Sequence, residues 1–451
     1  MNFLVFAPNP WHDLWRNRQQ IFSRLAARHR VLYVEPARAS LADWRRGRVD
    51  WAAVRRPAVT PEQPNLWLYR IPAMLPTRAT GDLFDRASDR LLAVHLRRTL
   101  GKLSMVNGQR SMVNGQRSMV NGQRSMVNGQ RSMVNGQRSM VNDQRSMVND
   151  QRSMVNDGHA VGNRPLTIDH RPVLWLYRPT HWRWLAASFP HSLLVYHITD
   201  DYAAFGHLSD AQRGALLAEE RELLAAADLT IVTAPRLLEL KAPHARRIEL
   251  APNGVDAQAF QRAAATAIPR GPAAPPRLGY SGHVSSRLDL ALLIQLARAR
   301  PDWQLLFAGS EWDAGCAAEL RSLKALPNVQ FLGLLPVEEV PAFIAGCDVC
   351  LIPYRVNDET RAISSLKLYE YLAAGRPVVS ARVPAAEEHA AVVRLADATV
   401  ASWVQQIEGA LAEGNDATQA AARQAVAQEN TWEQRVARIE ALLADLLSDA
   451  G

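Results

Sequence analysis

"AISSLKLYEYLAAGRPVVS", residues 362–380, carries one acid, Glu370, inside an apolar run of helical character that stops at Gly375 and restarts as a strand. Ser364 and Ser365 can cap a helix running from about Leu366 to Ala374, with Gly375 as its C-terminal stop. The first-turn amides of such a helix have no intrahelical partners and make an anion site. Lys367 lies in that turn. Glu370 lies one turn further on, where a carboxylate can accept from the vicinal hydroxyls of a ribose whose phosphates occupy the helix start. The plainer reading is a partly buried glutamate that serves only its helix.

The helix-then-strand unit recurs in both directions. Upstream stand "NFLVFAP", "RVLYVEP", "LWLYRIP", "VLWLYRP", "SLLVYHITDD", "LTIVTAP" and "RIELAPN". After the Ala/Pro-rich "AAATAIPRGPAAPPR" come "LGYSGHV", "WQLLFAGS", "VQFLGLLP", "VCLIPYR" and "RPVVSARVP". Continuous apolar strands separated by helix-length segments predict parallel sheets covered on both faces. The expected architecture is two doubly wound α/β domains, over 1–263 and 278–451, joined by a linker at 264–277. Ligands of open parallel sheets sit at the strands' carboxyl ends, so the two sheets are expected to share a cleft.

Composition is globular, with 48% apolar and 21% charged residues in 451. No apolar run reaches the 18 or so residues of a membrane span, and "MNFLVFAPNPW" is too short and Pro-broken for a signal peptide. A cytosolic protein is expected. Three cysteines give no disulfide framework. Cys347 and Cys350 form a C-x-x-C without a second pair, which reads as buried structural thiols rather than a zinc site. The basic excess is concentrated in residues 1–103, with 18 Lys/Arg against 8 Asp/Glu. In "DWRRGRVDWAAVRR" (43–56), Trp44 and Trp51 lie among Arg45, Arg46, Arg48, Arg55 and Arg56. Such a segment suits an anionic membrane surface, and a solvated Arg-rich loop explains it equally. No recognition motif for nucleic acid accompanies the charge.

"SMVNGQR" occurs five times from Ser104 to Arg138, "SMVNDQR" follows twice, and a broken copy ends at Asp157. Adjacent Met and Val rule out heptad packing. A meander turned at each Asn-Gly is conceivable, but thin polar strands favour a disordered insert. The peptide can be encoded by three near-copies of a seven-base unit, as an expanded DNA repeat in a surface loop would be.

"SSLKLYEYLAAGRPVVS" resembles the donor-site motif of GT-B glycosyltransferases that use nucleotide-activated sugars. The resemblance continues through "RIELAPNGVD", "LGYSGHV" and "NVQFLGLLPVEEVPAFIAGCDVCLIPYR", and into "WRNRQQIFSRLAARHRVLYVEP" and "VYHITDDYAAF". It is nearest to bacterial teichuronic acid and exopolysaccharide glycosyltransferases. It implies a GT-B fold and an enzyme that needs no metal or other cofactor. Glu370 matches the glutamate that holds the donor ribose, with Ser364, Ser365 and Lys367 at the phosphates. Gly282 matches the turn beside the diphosphate, Arg287 a basic residue there, and Leu335 a contact to the base. Eight positions before Glu370, retaining members carry a second glutamate. Here that position is Ala362, and Asp358 or Glu359 would have to substitute.

The N-terminal half is expected to hold the acceptor, near Asn9, Trp11, Trp15, Arg16 and Arg18. "HITDD" ends a strand and offers His197, Asp200 and Asp201 as catalytic candidates, since inversion needs a base for the acceptor hydroxyl. The alternatives are a packed strand-end histidine and a helix cap. The sequence thus predicts a glycosyltransferase acting on a lipid-linked or glycan acceptor at the inner face of the cell membrane. A nucleotide-sugar epimerase of similar fold and a non-catalytic repeat-bearing surface-binding protein are the other readings.

Overall fold

The computed structural model describes residues 1–12, 17–36, 58–71, 91–99, 171–180, 182–204, 208–267, 271, 273–311, 315–414 and 416–449. The repeat at 104–157, the Arg/Trp segment at 43–56, Trp15 and Arg16 lie outside the described residues. The chain divides into two compact units. The first comprises Met1–Pro10, Leu25–Leu174 and Trp184–Ser192, and the second Trp11–Arg24, Trp175–Arg183 and Leu193–Gly451.

In the first unit the strands are β1 (Asn2–Phe6), β2 (Arg30–Glu35), β3 (Val59–Gln63), β4 (Leu66–Arg70) and the start of β5 (Val173–Leu176). Their order is β3-β4-β2-β1-β5. β1 pairs with β2 and β2 with β4 in parallel register, Leu4 opposite Leu32 and Leu32 opposite Trp67. β3 departs from the expected all-parallel pattern and runs antiparallel to β4. "VTPEQ" has only one strongly apolar residue and a proline, which suits an edge strand and hides it from a hydrophobicity pattern.

The second unit continues with the end of β5, then β6 (Leu193–Ile198), β7 (Leu229–Val232) and β8 (Ile248–Leu250), in that order. All six residues of β6 and all four of β7 are buried, as strands covered on both faces require. A six-stranded sheet follows. It comprises β9 (Arg277–Ser281), β10 (Gln304–Ala308), β11 (Val329–Gly333), β12 (Val349–Ile352), β13 (Val378–Ala381) and β14 (Arg394–Ala396). The order is β11-β10-β9-β12-β13-β14, parallel throughout. The helix Ala257–Thr266 reaches into the stretch whose composition marks a linker.

This order places the site. The chain lays β9, β10 and β11 down in one direction, then returns to put β12 on the other side of β9. The helices after β9 and β12 therefore diverge, opening a crevice at the carboxyl ends of these strands. The core beneath is dense, with Leu293, Trp303, Tyr371 and Trp403 each at most 1% exposed. Burying a side chain of that size is worth about 1.5–3 kcal/mol. Cys316, Cys347 and Cys350 are buried in it and form no disulfide, and burial pushes the Cys350 thiol up. Among the described residues no helix is long and apolar enough to cross a membrane.

Candidate functional site

A cavity of about 1130 Å³ opens in the second unit at this crevice. Gly282 and Gly309, at two adjacent strand ends, line it. β9, β10 and β11 each end at a glycine of positive φ: Gly282 (130°), Gly309 (150°) and Gly333 (72°). Gly282 donates its N–H to the Ala308 carbonyl at 2.7 Å, and Gly309 donates to that of Gly333 at 2.7 Å. A Cβ on Gly309 would overlap the Gly282 carbonyl, and one on Gly282 would lie 2.8 Å from the Lys367 Nζ. Only glycine satisfies both the backbone angle and the space.

Lys367 enters from the helix Leu366–Ala373. Its Nζ donates to the Tyr354 hydroxyl at 3.0 Å and lies 5.1 Å from the Tyr280 ring centroid. Burial opposes the ammonium charge, but Tyr280, Tyr354 and Glu370 around it outweigh burial, so it stays protonated. Glu370 is three residues on, on the same helical face. It lines the cavity, and burial pushes its carboxyl up to about 7 against the pull of Lys367. The helix ends as expected: Gly375 has φ 69°, and Arg376 N–H returns to the Tyr371 carbonyl at 3.1 Å.

The N-terminal cap differs from expectation. Ser365 occupies the cap position, but its hydroxyl makes no capping bond and is buried without a partner. The Ser364 hydroxyl instead accepts from the Asn253 N–H at 3.0 Å. The Asn253 side chain donates to the Ser364 carbonyl at 2.7 Å and accepts from Asn17 at 2.7 Å. Asn17 and Asn253 thus brace the start of the Leu366–Ala373 helix. Asn253 lay in the quoted "RIELAPNGVD", but no local pattern marked its role.

Arg287 and Asp200 both line the cavity and lie 3.6 Å apart. Arg287 Nε also donates to Glu359 at 2.6 Å. Arg18 lines the cavity too, its guanidinium 4.9 Å from the Tyr177 ring centroid, and so does Trp11. Leu335 is in the wall, beside an exposed lip of Leu334 and Val337. Ala362 is 1% exposed and carries no acid to the site.

Two catalytic candidates are corrected. His197 is fully buried, absent from the cavity wall, and stacked on Tyr177 with centroids 5.0 Å apart. Burial, helped by the Arg18 charge, lowers its pKa to about 3, so it is a neutral packing residue. Asp201 also lies off the wall. It is 3.4 Å from Lys241, which pairs with buried Glu220 at 2.7 Å. Among the described residues no cluster of metal ligands is present.

The fold and this cavity define an α/β protein of the GT-B type. Residues 276–413, the six-stranded sheet with its helices, match the family model of glycosyl transferases group 1. Over 107 residues, 24% of this chain, the sequence is 35% identical to the putative teichuronic acid biosynthesis glycosyltransferase TuaH of Bacillus subtilis (strain 168). The match spans about a quarter (27%) of that relative's length. Three solved structures share the fold over nearly all of the chain. Sucrose-phosphate synthase from Thermosynechococcus elongatus has TM-score 0.62 and 16% identity, covering 99% of both chains. The UDP-forming α,α-trehalose-phosphate synthase from Burkholderia xenovorans, in complex with glucose-6-phosphate, has TM-score 0.60 and 11% identity, again covering 99% of both. Anabaena HepE, in complex with UDP and glucose, has TM-score 0.58 and 13% identity, covering 99% of this chain and all of that one.

Proposed function

We propose that the protein is a glycosyltransferase that takes a nucleotide-activated sugar as donor and acts in cell-surface polysaccharide assembly, on a lipid-linked or glycan acceptor. The observation that carries this reading is the pairing of Lys367 and Glu370 on one helical face beside Gly282. The diphosphate sits against the Gly282 turn, the Lys367 ammonium and the free amides of the helix start. Glu370, one turn further, accepts from the ribose hydroxyls, with Leu335 beside the base. In the transfer the bond from the sugar C1 to the diphosphate oxygen breaks and its electron pair stays on the diphosphate. The acceptor oxygen bonds to C1, and its proton passes to a carboxylate. Asp200 is the acid of "HITDD" that reaches the cavity, and Arg287 beside it offsets charge. On this reading the charge of the leaving diphosphate is met by Lys367, Arg287 and the helix amides rather than by a metal. The Arg/Trp segment at 43–56 supports a position on an anionic membrane surface.

The test is calorimetry with UDP, GDP and ADP and their sugars, followed by an acceptor screen for turnover. Binding of one nucleotide at micromolar concentration, weakened about ten- to hundredfold in Glu370→Gln and also weakened in Lys367→Ala, is the expected result. Absence of binding by all three would overturn the reading.

A further inference from the structure

We propose that Asn253, oriented by Asn17, is a positioning residue for the diphosphate: it orders the start of the Leu366–Ala373 helix from outside and so leaves the first-turn amides open to the ligand. The inference deepens the donor reading above and rests on it.

A helix start is commonly ordered by its own cap, whose side-chain oxygen accepts from an amide of the first turn. That device occupies an amide which an anion would otherwise use. Here Ser365 stands at the cap position and makes no capping bond. The residue is 4% exposed, lines the cavity, and its hydroxyl has no partner. The ordering comes instead from Asn253, 111 residues away in sequence. Its backbone N–H donates to the Ser364 Oγ at 3.0 Å, and its Nδ2 donates to the Ser364 carbonyl at 2.7 Å. Two bonds to one residue fix both its main chain and its hydroxyl. The residue before the cap is thus clamped without the use of any first-turn amide.

The direction of these bonds is forced. The Ser364 carbonyl can only accept, so Asn253 must turn its NH2 towards it and its oxygen the other way. That oxygen needs a donor, and Asn17 supplies Nδ2 at 2.7 Å. Asn17 thereby selects the one orientation of the Asn253 amide that can hold Ser364. The Ser364 hydroxyl accepts from Asn253 and retains a proton to donate. Asn17, Asn253, Ser364 and Ser365 all line the cavity.

The post from which the brace reaches out is itself anchored. Two residues on, Val255 donates its N–H to the Asn430 carbonyl at 3.0 Å and accepts from the Trp432 N–H at 3.2 Å. Between them Gly254 runs so close to this segment that a Cβ would lie 2.8 Å from the Trp432 nitrogen. Asn253 therefore ties the start of the Leu366–Ala373 helix to the start of the helix Trp432–Asp449.

The experiment is isothermal titration of wild type, Asn253→Ala, Asn253→Asp, Asn17→Ala and the Asn17→Ala/Asn253→Ala double variant with UDP, GDP and ADP and with uridine, guanosine and adenosine. For the base that binds, Asn253→Ala should weaken the nucleoside diphosphate about tenfold and leave the nucleoside within about twofold. Asn253→Asp keeps the size and the oxygen that Asn17 meets, but it sets a carboxylate against the Ser364 carbonyl and near the diphosphate. Its loss should be the larger, and again confined to the diphosphate. Asn17→Ala should show the same selectivity at about threefold, and it carries the test should the Asn253 variants fail to fold. Because Asn17 acts through Asn253, the double variant should bind no more weakly than Asn253→Ala. A residue that served the fold alone would lower the melting temperature and treat diphosphate and nucleoside alike. Equal losses for the two, or no loss in a folded variant, would overturn the role of Asn253 while leaving the donor reading in place. Failure of wild type to bind any of the three diphosphates would overturn both.

Discussion

Arg287 Nε donates to the Glu359 carboxylate at 2.6 Å while the same guanidinium lies 3.6 Å from Asp200. One cation thus sits between two acids, one at the end of β6 and one in the short helix Asp358–Arg361. Glu359 precedes Ala362 by three residues and is the nearest acid to the position where a retaining enzyme of this resemblance carries its glutamate. Arg287 engages it rather than leaving it open to a substrate.

Arg287→Gln is therefore expected to leave two acids repelling each other and the incoming diphosphate. Sugar-nucleotide turnover should fall about a hundredfold, and Glu359→Gln alone about tenfold. The double variant should be no worse than Arg287→Gln, because the pair acts as one unit. Losses that simply multiply in the double-mutant cycle would show that the two residues act apart.

Glu370→Gln should separate binding from stability. The carboxyl titrates near 7 in the folded protein and at 4.5 when unperturbed. The folded state then holds the proton more tightly than the unfolded one. Glu370 consequently costs stability as pH rises from 4.5 towards 7, and above 7 the cost is full. Allowing for partial exposure, the glutamine variant should be more stable than wild type at pH 8, by on the order of 1–3 kcal/mol. Donor affinity should nevertheless drop about ten- to hundredfold, since the amide offers donors to hydroxyls that need acceptors. Wild-type ribose contacts should strengthen as pH climbs through 7, and the variant's should not. A lower melting temperature with an unchanged Michaelis constant would mean that Glu370 serves its helix alone.

The two aspartates of "HITDD" should part company under mutation. Asp200→Asn should reduce turnover with little change in stability. Asp201 belongs to the Lys241–Glu220 group, in which Tyr196 also donates to Glu220 at 3.0 Å. Lys241→Met leaves a buried carboxylate unpaired and should cost about 3–5 kcal/mol in chemical denaturation. If Asp201→Asn instead abolished turnover in a fully stable protein, the assignment of the two acids would be reversed.

Gly309→Ala should fail by sterics. The added methyl meets the Gly282 carbonyl at a backbone angle closed to alanine. A loss of about 3 kcal/mol or more is expected, with nucleotide binding damaged in whatever folds. Gly315→Ala, also at positive φ but with open space around it, should cost only about 1 kcal/mol.

All twelve apolar runs read as strands are strands, and in β5, β6, β7, β12 and β13 every residue is buried, as continuous hydrophobicity announces. β3 and β14 escaped for opposite reasons. The first is a polar edge strand, and the second is three residues long. In the site, Gly282, Lys367 and Glu370 were legible because a strand-glycine turn and a capped helix are local patterns. His197 was misleading because its partner Tyr177 lies on a separate segment and nothing local distinguishes a stacked imidazole from an exposed one. Asp201 misled for the same reason, its lysine being 40 residues away. Asn17 and Asn253, 236 residues apart, meet only in the fold.

The two strand-end glycines in the cavity wall, Gly282 and Gly309, have a consequence for how such a protein can change over generations. What they contribute to the floor is main chain, and main chain is unaltered by most point substitutions. The lip above it is side chain: Leu334 is 58% exposed and Val337 43%, with little packing to lose. A lineage can therefore revise the lip freely and acquire new tastes in ligand while inheriting the floor intact. In the main-chain part of the wall the vulnerability falls on the codons for Gly282 and Gly309, where a missense change meets both the backbone angle and the lack of space.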